Sequence, residues 1–60
     1  MFPPNPELIY ITRKEVRLTQ RGAAALVHVG REQWAAWESG RYRMPCAAWE
    51  LFLIKTTRQH

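Results

Sequence analysis

A single cysteine, Cys46, in a chain of 60 residues removes the disulfide staple that most small secreted folds depend on. Burial must then do the work, and at this size only about 60% of the unfolded surface can be buried. One domain fits, a cleft-bearing enzyme does not suit so small a core, and self-association is expected. Hydrophobic residues make up 47% and charged residues 23%, which places the chain among globular and not disordered sequences. Three tryptophans, two tyrosines and two phenylalanines give that core large building blocks.

Proline and glycine divide the chain into short pieces. Pro3, Pro4 and Pro6 fix φ and remove donors, so the opening reads as an extended arm. A first helix can begin at Pro6, with Asn5 as N-cap, Pro6 at N1 and Glu7 in the first turn. Its apolar residues Leu8, Ile11 and Val16 are roughly helix-spaced. Ile9, Tyr10, Ile11 and Thr12 alone also fit a strand, and the reading adopted is helix. Thr19 is a second N-cap, opening an alanine-rich helix from Arg21 to Val27. A third helix spans Arg31 to Ser39 and ends at Gly40, a C′ residue. On it Trp34 and Trp37 share an inward face, while Arg31, Glu32, Gln33 and Ala36 take the outward arc. A fourth helix starts with Pro45 at N1 and runs to about Lys55, with Trp49, Phe52 and Leu53 along one side. Lys55 and Arg58 complement its C-terminal dipole. The fold class expected is all-α: four short helices, with an arm over 1–6, a helical domain over 7–56 and a tail over 57–60.

The longest uncharged stretch after the arm, Gly22 to Gly30, is far short of the roughly 20 apolar residues of a membrane span. The opening residues lack the basic and apolar regions of a signal peptide. A cytoplasmic, nucleoid-associated protein is expected, with no membrane partner.

Nine Lys/Arg against five Glu give a net charge of +4 and a pI near 10.0, which suggests an anionic partner. The excess is uneven. Arg13, Lys14, Arg17 and Arg21 stand against Glu15 alone, a local net charge of +3. Arg31, Arg41 and Arg43 stand against Glu32 and Glu38, a local net charge of +1.

Two short helices with a tight connection and a basic loop behind them are the outline of a helix-turn-helix. Ala24 supplies the small residue needed where the second helix crosses the first. Ala23, Val27, Val29, Trp34 and Trp37 have the spacing of a buried seam. The run Leu18, Thr19, Gln20, then Ala23, Ala24, then Val27, His28, Val29, Trp34, and Trp37 through Arg41 resembles the Cro and phage-repressor family of regulators. The resemblance covers about residues 7–55. The tail Met44, Pro45 and Trp49 to Phe52 is similar to a branch of small phage and mobile-element regulators, some of them anti-CRISPR-associated repressors of their own operon.

The resemblance implies roles by position. Gln20 matches a phosphate-binding glutamine, with Arg21 beside it on the backbone. Arg31, Glu32, Gln33 and Ala36 take the positions that face base edges, where their chemistries suit guanine, cytosine, adenine and the thymine methyl respectively. Arg41, Tyr42 and Arg43 match the loop that grips the sugar-phosphate backbone. Arg13 and Glu38 match a structural ion pair. His28 stands where the family often has a turn glycine at positive φ, and Gly30 stands where it has a Ser or Thr N-cap.

The expected function is sequence-specific DNA binding by a homodimeric repressor on an inverted-repeat operator of its own phage or mobile-element operon, such as an anti-CRISPR operon. Trp49, Phe52 and Leu53 are the expected dimer interface, with core packing expected of one of the two aromatics and with Phe2, Pro3 and Pro4 as the fallback. The alternatives are an antitoxin or a protein-interaction module on the same scaffold. His28, His60 and Cys46 match no zinc spacing, and no Asp is present to orient a base. Neither catalysis, nor a metal or other cofactor, nor a small-molecule ligand is expected.

Overall fold

Four helices follow the local signals closely. A computed structural model describes residues 3–57, so Met1, Phe2 and the tail residues Arg58, Gln59 and His60 lie outside the described residues. The elements are α1 (Pro6–Glu15), α2 (Gln20–Leu26), α3 (Arg31–Ser39) and α4 (Cys46–Thr57), with no strand among the described residues. The caps explain the starts. Asn5 Oδ1 accepts from the Leu8 N–H at 2.7 Å, and Thr19 Oγ1 accepts from the Gly22 N–H at 3.0 Å. Gly30 caps α3 by backbone alone. Pro45 falls one position earlier than N1: its carbonyl accepts from the Trp49 N–H at 3.1 Å, so it precedes α4 and does not begin it.

Three helices end alike. After α1 the Arg17 N–H reaches the Lys14 carbonyl and the Leu18 N–H reaches that of Arg13. After α2 the His28 N–H reaches Ala25 and the Val29 N–H reaches Ala24. After α3 the Gly40 N–H reaches Trp37 and the Arg41 N–H reaches Ala36. Each is a Schellman closure, which requires one residue in the left-handed region. Gly40 adopts it at φ 84°, but Arg17 and His28 adopt it at 61° and 63° with a side chain attached.

α2 packs most extensively on α3, α1 lies against α3, and α4 closes over α2. The core holds Ile9, Ala23, Ala24, Val27, Trp34, Trp37, Met44, Trp49 and Phe52. Trp34 lies at its centre, 4.9 Å from the Phe52 ring and 5.8 Å from Trp37, measured between centroids. Alanines on α2 leave room that only large rings can fill, and this draws α4 inward. Trp49 and Phe52, expected at a dimer interface, are therefore buried within the chain's own core, and Leu53 is half-buried against it. Val29 is likewise half-buried and not central.

The register of α1 also departs from expectation. Ile9 faces inward, while Leu8 and Ile11 remain 44% and 43% exposed. The reason is Arg13, one turn after Ile9, which is only 8% exposed. Its guanidinium must reach partners under α3, and that requirement fixes the helix rotation. Among the described residues no helix is long and apolar enough to cross a membrane.

Candidate nucleic-acid interface

The inner side of α3 ends in a polar knot. Glu38 receives the Arg13 Nε at 2.5 Å and a second guanidinium nitrogen at 3.2 Å. The Trp34 indole N–H also donates to it at 2.5 Å, and the Gln20 amide at 3.1 Å. Arg13 spends a further donor on the Leu18 carbonyl at 2.8 Å. The two charged side chains are 10% and 7% exposed, so the pair is desolvated yet fully bonded. Burial alone would push the Glu38 carboxyl up. The bonds from Arg13, Trp34 and Gln20, with the Arg13 charge, outweigh it and hold the carboxyl below its ordinary value of 4.5.

Gln20 links this knot to the surface. Its amide nitrogen serves Glu38, and its Oε1 accepts from an Arg31 guanidinium nitrogen at 3.2 Å. The side chain expected to hold a phosphate thus bridges α2 and the start of α3. Sequence reasoning missed the bridge, because it depends on which way a half-buried amide turns.

The outer side of α3 differs. Arg31, Glu32 and Gln33 are exposed and Ala36 is half-buried. Gly30, Glu32, Gln33, Ala36, Arg41 and Tyr42 line one open depression of about 590 Å³. The loop that forms its far wall is pinned to the helix end: the N–H groups of Arg41 and Tyr42 both donate to the Ala36 carbonyl, at 3.0 and 3.3 Å. The Arg41 guanidinium lies over the Tyr42 ring, 5.6 Å from its centroid. Arg43 is exposed just beyond, and Arg21 is exposed on α2. The structure thus brings together Glu32, Gln33, Ala36, Arg41 and Tyr42, and joins Arg31 to Gln20. Leu53, with the buried Trp49 and Phe52, belongs to α4 and takes no part.

One further interaction was not legible from sequence. Lys55, read as a partner for its own helix dipole, donates to the Leu26 carbonyl at 2.7 Å and approaches His28 Nε2 at 3.3 Å. It holds the end of α2 from across the fold, and so steadies the connection over 27–30. Among the described residues no group of three or more His, Cys, Asp or Glu side chains is placed to hold a metal ion. Neither a protein-family model nor a curated protein matches the chain.

Proposed function

We propose that the protein is a sequence-specific DNA-binding regulator in which α2 and α3 form a helix-turn-helix and α3 enters the major groove. The observation that carries this is the division of α3. Its inner residues are consumed by core and ion pair, while Glu32 and Gln33 stand in solvent beside a basic, aromatic loop. That is the layout of a surface with base-reading groups in the middle and phosphate-gripping groups at its edge. Arg31, Glu32, Gln33 and Ala36 would face the bases; Arg21, Arg41, Tyr42 and Arg43 would hold the backbone. Gln20 holds Arg31 by its side chain, so its role in this reading is to position. The net charge of +4 agrees in sign with the partner.

One such helix reaches few bases, so we read the active form as a homodimer on an inverted repeat, repressing its own phage or mobile-element operon, such as an anti-CRISPR operon. A protein-binding module on the same scaffold is the second reading, favoured by the apolar residues that α1 leaves in solvent.

Binding isotherms on the DNA upstream of the gene and on a scrambled duplex, at several salt concentrations, test the proposal. Arg31→Ala should cost about 1–3 kcal/mol per half-site on the upstream DNA and much less on scrambled DNA. Arg43→Ala should weaken both alike and flatten the salt slope by about one for each phosphate no longer neutralised. Equal binding of the unaltered protein to both duplexes would overturn sequence-specific reading.

A further inference from the structure

The residues expected to form a dimer interface are spent in the core, and a different apolar surface is left open. Of the large hydrophobic side chains exposed among the described residues, Leu8, Tyr10 and Ile11 lie on one helix of ten residues. Tyr10 has a neighbour within the chain, the Arg13 guanidinium 5.4 Å from its ring centroid. Leu8 and Ile11 sit on the other flank of α1 and its outermost line. At about 100° per residue, Glu7, Ile11 and Lys14 fall within about 60° of one another, on the side opposite the buried Ile9. All three are exposed, with Glu7 in the first turn and Lys14 in the last.

This surface is complementary to itself. When two copies of α1 lie antiparallel about a two-fold axis through Ile11, the same rim of each helix faces its counterpart with the direction reversed. Glu7 of one copy then meets Lys14 of the other, and the pair occurs twice. Ile11 meets its own counterpart on the axis, and on the opposite rim Leu8 lies against the methylene stem of Glu15 from the other copy, whose carboxylate stays at the solvent edge. A parallel pair, with the two-fold along the helices, would set this rim against the opposite one, bringing Lys14 to Glu15 and leaving Glu7 without an opposite charge. We infer that the outward face of α1, centred on Ile11 with Leu8 beside it and the Glu7 and Lys14 charges at its ends, is the surface by which a second copy of this chain docks.

The inference rests on the two-copy reading above. A pair of ten-residue helices, each about 15 Å long, buries less than the standard interface of about 1,600 Å². The dimer is accordingly weak and dissociates on dilution. The cross-chain ion pairs add little affinity, being exposed, and they mark the direction, since only the antiparallel pair engages Glu7.

Sedimentation equilibrium of the whole chain without DNA tests it, with circular dichroism to check the fold. Ile11→Glu should keep the helical signal and melting curve, because the side chain is exposed, and raise the dissociation constant by at least about tenfold. Glu7→Lys and Lys14→Glu should each weaken self-association. An equimolar mixture of those two variants should associate more strongly than either alone, since both pairings then join opposite charges. The inference is overturned if the unaltered chain stays monomeric up to about 1 mM, if Ile11→Glu associates as the unaltered chain does, or if the mixture gains nothing. A monomer that still selects its upstream DNA would defeat this inference and leave the DNA-binding reading standing. A dimer governed by Ile11 that binds no DNA would do the reverse.

Discussion

The two sides of α3 put the same kinds of residue to opposite uses. Inward, Glu38 is bonded to Arg13, Trp34 and Gln20 beneath the surface. Outward, Glu32 on the same helix stands exposed in an open depression. One carboxylate is a structural fixture, held because leaving it or Arg13 unpaired would be costly. The other faces solvent, where the proposed function would use its hydrogen-bonding pattern. Residue type alone does not separate the two. Helical spacing does, since Glu38 follows Trp34 by one turn and shares its side.

Substitutions should widen or erase that contrast. The largest loss is expected on the inner side from Phe52→Ala, which removes the ring against Trp34: about 3–5 kcal/mol in a denaturant titration, enough to unfold most of a chain this small. Glu38→Ala should come next, at about 3 kcal/mol, because Arg13 stays buried without its counter-charge. The same carboxylate predicts an acid limit. Its folded value lies below the ordinary glutamate value, so its stabilisation is complete at neutral pH and is lost as pH falls through the folded value. Thermal melts from pH 6 downward should decline in the unaltered protein and show a flatter acid limb in Glu38→Gln.

His28→Gly should act in the other direction, raising stability by about 0.5–1 kcal/mol, since glycine takes the left-handed seat without strain. Part of that gain is offset because Lys55 no longer has the imidazole beside it. Gln33→Ala on the outer side should be the smallest, within about 0.5 kcal/mol in stability. Under the DNA-binding proposal it should nevertheless lower affinity for the upstream DNA, measured by the same isotherms.

Much of this was legible where the chemistry is local. Asn5, Thr19 and Gly40 mark helix ends because a cap needs only its own few neighbours, and Trp34 with Trp37 marks the inner side of α3 by spacing. The rotation of α1 was not legible. Leu8, Ile9, Tyr10 and Ile11 are apolar in succession and carry no period, so a buried arginine decided which of them turned in. Arg17 gave no sign of its positive φ, since arginine is no turn former. Trp49 and Phe52 were legible as apolar, but the core was expected to take only one of them and it takes both. Their destination depended on how much space the alanines of α2 left, a quantity no window of sequence contains.

Lys55 limits how short the fold can become. Its ammonium grips the Leu26 carbonyl from the last turn of α4, across 29 positions of chain. Cutting the chain just before this residue would remove little of the aromatic core, for Trp49 and Phe52 would both remain. It would still unlatch the far end of α2, and with it the corner that sets the angle between α2 and α3. The length of chain that suffices for the aromatic core is therefore shorter than the length that holds the corner between α2 and α3.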